Sequence, residues 1–479
     1  MSALSIILII LGAAAYLALA WYIIVSEGGD PGWKAAFLFF IPLVPVIGLV
    51  IYVVFGISYR RKKVFEKVHK RSLERFAKDF PEGSPIFSGE VPASVDPAWE
   101  PLARLMLGCN RGNLISEGNG IEVITTGERM WEALLADIKG AKDFISIGYF
   151  RMDDDESGSQ IWEALKEKAR EGVTVRYLHE WFGNKTVPRS FYREAEQAGI
   201  QICRYTSLRQ GLTQFMMRLD SRNHRKITVI DGRIGYVGGM NLNDNYRFRW
   251  RDTHIRFEGP AAHAMQASFL DTWLSSGGSI EGSLQQCFRE LPPAKGPAMQ
   301  IISDEPDFPQ SSALMAIEWA LANARDYVYL QTPYFFPPDG LLDALKAAAL
   351  RGVDVRIMLP LKVDTFSVRP GNCAHYAPCL EAGVKLYEWD GGIFIHAKTL
   401  VADDYLSMNG ATNLDFRSFF INHELNALVY DRDTALRFKE IFMEDLKECT
   451  QLSLEGFLKG RSALDRFESG LARLVRTKY

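Results

Sequence analysis

WEALKEKAREGVTVR, residues 162–176, is matched without a gap by LDALKAAALRGVDVR, residues 342–356. Each copy carries apolar residues at three- and four-residue spacing, then a glycine, then valines alternating with polar residues. That is the pattern of an amphipathic helix, its stop, and a strand. Upstream, FISIGYF at 144–150 reads as a buried strand and has a counterpart in YVYLQTPYF at 327–335. IEVITTG at 121–127 and MWEALLADIKGAK at 130–142 add another strand and helix. Alternating strands and helices imply an α/β sheet with helices on its faces. A duplication this long means two similar α/β domains rather than a solenoid. Their expected limits are 119–295 and 296–479, joined through the proline-marked ELPPAKGPAM at 290–299.

The duplication also carries chemistry. HRKITVID at 224–231 and HAKTLVAD at 396–403 share the form H-x-K-x4-D. An asparagine follows each histidine by 17 residues, Asn241 and Asn413, and a carboxylate follows each by 28, Asp252 and Glu424. One H-x-K-x4-D alone would be weak, but two copies with matched offsets are not chance. Strand alternation puts His224 with Lys226, and His396 with Lys398, on one face. A buried lysine beside a histidine is costly without an anion. Asp231 and Asp403 complete each set. Because Asp231-Gly232 has the form of a tight hairpin turn, these two either join the chemistry or brace the strands.

Together the donors suit a tetrahedral phosphate. The lysines supply charge, Asn241 and Asn413 supply amide hydrogens, and one imidazole can meet each side of phosphorus. A neutral histidine can attack while a protonated one serves the leaving alcohol. Asp252 and Glu424 are then expected to orient the imidazoles. This chemistry calls for neither a metal nor another cofactor. The six cysteines are scattered without a CxxC pair or Cys/His ligand spacing, which argues against zinc and disulfides and for a reducing compartment.

The chain has 479 residues, 47% of them hydrophobic, and a formal net charge of −3. That charge argues against a general nucleic-acid binder. Residues 3–25 hold no charged side chain and exceed the roughly 20 residues that cross a bilayer core. A second apolar run, 33–57, contains Pro42 and Pro45, which should kink it. Arg60, Arg61, Lys62, Lys63, Lys67, Lys70 and Arg71 follow, so the positive-inside rule places this side in the cytoplasm. The expected order is two transmembrane segments at 1–57, a basic juxtamembrane segment and linker at 58–118, then the two α/β domains. It amounts to a multi-pass protein of the membrane bilayer with its catalytic domains on the cytoplasmic side.

The paired motifs resemble the phospholipase D superfamily. With the two spans, RNHRKITVIDGRIGYVGGMN at 222–241, WRDTHIRFEGPA at 250–261 and TPYFFPPDG at 332–340, nearly the whole chain resembles the bacterial cardiolipin synthases within it. The resemblance implies one bilobal active site built from two phospholipase D-like domains, in the bacterial inner membrane. It implies transfer of a phosphatidyl group between two molecules of phosphatidylglycerol through a phosphohistidine, with other anionic phospholipids as partners. It also implies His224 as nucleophile and His396 as general acid and base. A hydrolytic phospholipase D, or phosphatidylethanolamine as donor, is the alternative. Where relatives usually have Gly-Ser or Gly-Thr in the second half, this chain has Gly410-Ala411, so one hydroxyl donor is missing. Nothing in these motifs fixes an oligomeric state.

Overall fold

The computed structural model describes residues 3–25, 31–52, 74–76, 78–80, 89–110, 113–205, 221–292, 294–306, 308–365 and 368–474. Its strands in chain order begin with β1 (Ile115–Ser116), β2 (Gly120–Ile124), β3 (Phe144–Tyr149), β4 (Thr174–His179), β5 (Gln201–Arg204), β6 (Ile227–Ile230), β7 (Ile234–Gly238), β8 (Trp250–Arg251) and β9 (His254–Glu258). They continue with β10 (Ala298–Asp304), β11 (Tyr327–Gln331), β12 (Phe335–Phe336), β13 (Asp354–Pro360), β14 (Lys385–Trp389), β15 (Phe394–Ile395) and β16 (Thr399–Ala402). The last four are β17 (Leu406–Gly410), β18 (Leu414–Asp415), β19 (Glu424–Tyr430) and β20 (Cys449–Gln451).

Two large sheets repeat one topology. The first runs β2-β9-β7-β6-β3-β4-β5, and the second runs β10-β19-β17-β16-β11-β13-β14 with β1 and β20 added at its edges. In each, the central strand pairs in parallel with the strand that follows its crossover helix: β3 with β4 and β11 with β13. The crossover helices are Glu156–Arg170 and Asp339–Leu350. Both stop near a glycine with positive φ, Gly172 at 93° and Gly352 at 97°, the left-handed turn that glycine adopts without steric cost. The duplicated α/β architecture read from the sequence is therefore present strand for strand. Between the lobes lies a shared apolar core in which Val229, Phe257 and Phe269 meet Ile301, Ala427 and Val429.

The expected linker ending at 118 is in part a structural component of the second lobe. Helix Glu100–Cys109 buries Leu102, Ala103 and Met106 in a cluster with Ile302, Ile317 and Leu321. β1 then pairs antiparallel with β10. Residues reaching back to Val95 join the same cluster. The first lobe is consequently inserted into the second. Its entry and exit lie side by side, where the Gly118 N–H donates to Gly296 O at 3.1 Å.

At the N-terminus one helix, Ala3–Val25, is long and apolar enough to cross a membrane. The second apolar run is not one long helix over its described part. It forms Pro31–Leu43 and Pro45–Ile51, broken at Val44 (φ −136°, ψ 74°). Pro45 disfavours a helical conformation at the preceding residue, which accounts for the break. The two apolar segments pack through Ile23, Phe37, Ile41 and Tyr52. The basic cluster from Arg60 to Arg71 lies outside the described residues.

Candidate active site

Each histidine of the repeated motifs stands just before a strand, His224 before β6 and His396 before β16. The segment leading into it crosses to the other lobe. β15 pairs in parallel with β8, and the His396 N–H donates to Arg251 O at 2.7 Å. The mirror contact joins Asn223 to His423, with the His224 N–H donating to His423 O at 3.0 Å. These two backbone zippers carry each histidine to the acid of the opposite half. His224 Nδ1 lies 3.0 Å from both carboxylate oxygens of Glu424, and His396 Nδ1 lies 2.8 Å from Asp252 Oδ2.

A carboxylate on Nδ1 selects the tautomer with hydrogen on that nitrogen and leaves Nε2 for a ligand. Burial, aided by Lys226 and Lys398, holds the His224 imidazole well below the usual value of 6.5. Burial and the same two lysines do likewise for His396. Burial pushes Glu424 up to about 8 and raises Asp252. Asp252 keeps a strong compensating contact, the Thr253 N–H at 2.7 Å. Lys226 and Lys398 are lowered by burial to about 7 and about 8. Six buried ionisable groups with shifted pKa values are thus gathered at one place, a concentration characteristic of functional sites.

The lysines turn inward. Lys226 Nζ donates to His224 O at 2.7 Å, and Lys398 Nζ to His396 O at 2.5 Å. Lys398 Nζ also lies 2.8 Å from His396 Nδ1 and 3.2 Å from Nε2. Nδ1 cannot both donate to Asp252 and accept from an ammonium. The ionic bond to Asp252 sets the tautomer, and Lys398 acts as a charge beside the ring. Asn241 donates through Nδ2 to Tyr246 OH at 2.9 Å and reaches His396 through that phenol, which lies 3.4 Å from Nδ1. Asn413 is buried, with its Oδ1 unpartnered.

Asp231 and Asp403, counted with the catalytic residues in the sequence, do not reach the site. Seven residues along an extended strand separate each from its histidine by about 20 Å. Asp231 accepts the N–H groups of Lys142, Asp143 and Phe144 at 2.8–2.9 Å, and Asp403 those of Arg325, Asp326 and Tyr327 at 2.7–3.0 Å. Both occupy left-handed hairpin positions, φ 51° and 47°. They brace the start of β3 and β11, so their recurrence reflects a copied structural device.

Sequence reasoning missed Arg225 and Arg251. Arg225 is buried and joins Thr272 of its own lobe to Ser303, the Asp304 carbonyl and Glu305 of the other, with Glu305 Oε1 at 2.7 Å. Arg251 reaches across to Asp445 at 2.7 Å. Arg225 has Ala397 in its place in the second motif, so the repeat could not flag it. The two histidines also differ in surroundings. Phe150 packs on His224, whereas Tyr246, Trp250, Phe394 and Tyr334 surround His396. Among the described residues, no three His, Cys, Asp or Glu side chains gather as a metal cage.

A duplicated α/β fold with one histidine–lysine set per half, crossed onto the partner's acid, defines a two-lobed protein of the phospholipase D-like class. The family described as cardiolipin synthase, PLD-like domain, matches residues 134–273 and 317–446. The chain is 35% identical to a cardiolipin synthase of Listeria innocua over 94% of each chain. It is 36% identical to the major cardiolipin synthase of Bacillus subtilis, over 95% of this chain and 96% of that one. Among solved structures it is similar to a phosphatidylserine synthase of Haemophilus influenzae, with TM-score 0.59, 13% identity, and coverage of 79% of this chain and 100% of that one. The last likeness shows the fold alone. By its matched domains and its relatives, the chain belongs to the cardiolipin synthase family.

Proposed function

We propose that the chain moves a phosphatidyl group from one phosphatidylglycerol to a primary hydroxyl of a second, giving cardiolipin and glycerol. The observation that carries this reading is the crossed pair of imidazoles, each held at Nδ1 by the acid of the other half with a buried lysine of its own motif beside it. The Nε2 lone pair of His224 attacks phosphorus, and a P–N bond forms as the P–O bond to glycerol breaks. His396, which takes a proton on Nε2 once the bound phosphodiester offsets the charge of Lys226 and Lys398, gives that proton to the departing oxygen. The acceptor hydroxyl then gives its proton to His396, its oxygen attacks phosphorus, and the P–N electron pair returns to His224. Lys226, Lys398 and Asn413 hold the phosphoryl oxygens, while Asn241 acts through Tyr246.

The division of labour between the histidines is supported by their acids. Glu424, pushed up to about 8, is a weak partner for an imidazolium at neutral pH and suits a His224 that stays neutral. Asp252, with its backbone N–H, suits a His396 that must carry charge. We further propose that both N-terminal segments cross the bacterial inner membrane, with the basic residues 60–71 on the cytoplasmic face drawing in anionic phosphatidylglycerol.

The test uses purified full-length protein in phosphatidylglycerol vesicles, following cardiolipin, glycerol and phosphatidic acid together. Cardiolipin with matching glycerol, lost in both His224→Ala and His396→Ala, is the expected result. Phosphatidic acid without cardiolipin would make water the acceptor. Full activity in either variant would sink the two-histidine mechanism. Vesicles carrying phosphatidylethanolamine beside phosphatidylglycerol, read for released ethanolamine, decide the donor.

A further inference from the structure

Next to two of the aromatic rings that pack on His396 lies a cavity of about 380 Å³, within the roughly 300–1,000 Å³ typical of small-molecule sites. Trp250 and Phe394 form one wall, and their rings also pack on the His396 imidazole at 5.3 and 5.8 Å. Trp389 lines it too, its indole N–H fixed on Ile393 O at 2.8 Å. The polar lining is Asp364, Asp390 and Lys362. Asp364 accepts the hydroxyl of Tyr334 at 2.7 Å, and the Tyr334 ring stands 6.3 Å from His396, so this acid is tied to the same imidazole. Lys362 pairs with Asp390 at 3.4 Å, and its side chain is 83% exposed.

We propose that this cavity is the alcohol subsite of the reaction, holding first the glycerol that leaves the donor and then the glycerol headgroup of the acceptor lipid. The inference rests on the transfer proposed above and adds where the acceptor sits. A polyol presents C–H faces that pack on indole and phenyl rings, and hydroxyl donors that need acceptors. A carboxylate has about four lone-pair sites, enough to take two adjacent hydroxyls. Lys362 holds Asp390 only through an exposed pair, which contributes little and yields readily to a competing anion. It therefore meets the acceptor lipid's own phosphate at the mouth, a contact that neither water nor free glycerol can make. Its wall residues Trp250 and Phe394 pack on His396, whereas the ring packed on His224 is Phe150, which does not line it, so the cavity borders the surroundings of the imidazole assigned to exchange protons with the alcohol.

The experiment follows cardiolipin, exchange of radiolabelled free glycerol into phosphatidylglycerol, and phosphatidic acid, all in the same vesicles with full-length protein. Asp364 and Lys362 are exposed, so Asp364→Asn and Lys362→Ala should leave the thermal melt in place. Asp364→Asn should lower the ratio of both alcohol-transfer products to phosphatidic acid by about tenfold, the effect of losing a charged hydrogen bond. Lys362→Ala should lower the ratio of cardiolipin to glycerol exchange, because only the lipid acceptor brings a second phosphate. Free glycerol should compete with cardiolipin synthesis, and free ethanolamine should not. Wild-type ratios in both variants, or stronger competition by ethanolamine, would overturn the subsite. A wild-type protein that makes no cardiolipin would overturn the transfer reading itself, so the two failures are distinguishable.

Discussion

Glu424 stands 200 positions from the histidine it bonds, and Asp252 stands 144 from its own. A carboxylate that fixes a tautomer can be neutralised without changing the shape of the site. Asp252→Asn should therefore cut kcat by roughly 10² to 10⁴ with little change in melting temperature, and Glu424→Gln, whose acid is already pushed up to about 8, should cut it less. Asp231→Asn should behave in the opposite way. It weakens three backbone hydrogen bonds far from phosphorus, so kcat should hold while stability falls by about 1–3 kcal/mol, read by thermal unfolding. The lysines predict a pH profile. An ammonium whose pKa is lowered is charged below that value and loses its charge as pH rises through it. kcat/KM should thus decline above about 7 to 8, where Lys226 and Lys398 neutralise. A bound phosphodiester favours the charged lysines, so the alkaline limb of kcat should lie higher than that of kcat/KM. Coincident limbs would remove the lysines from phosphate binding. At this scale matched offsets in the sequence singled out the histidines, the lysines and the two acids that the structure brings against the imidazoles. The sequence could not show that the acids are exchanged between halves, because equal spacing within each copy says nothing about which copy a side chain faces.

Strand and crossover-helix identities were legible because a period of two and a period near 3.6 leave different marks, and because each mark occurs twice. Segment 89–116 was not. An amphipathic stripe such as Leu102, Ala103 and Met106 says that a helix is buried but not against what, and β1 is only two residues long. If helix Glu100–Cys109 is core, Leu102→Ala should cost about 2–5 kcal/mol, seen as a lower denaturant midpoint. A linker helix would tolerate the same change. The kink at Val44 was readable from Pro45, since proline acts on its own neighbour and needs no tertiary partner.

Across the whole molecule, the two zippers, Arg225 with Glu305, and Arg251 with Asp445 clamp the lobes around the paired imidazoles. Both imidazoles must therefore belong to one correctly closed chain. Mixing purified His224→Ala and His396→Ala proteins in shared vesicles should restore no cardiolipin synthesis. Recovery approaching half of the wild-type rate would mean that lobes are exchanged between chains. The insertion of the first lobe between β1 and β10 also imposes an order on biosynthesis. When the ribosome has made residues 89–116, the strands they pack against do not yet exist, and they wait while the entire first lobe is produced. His224 emerges long before Glu424, so during that interval it has no acid to hold its proton and no second imidazole opposite. The paired site is thereby withheld from the growing chain until its final quarter has been translated.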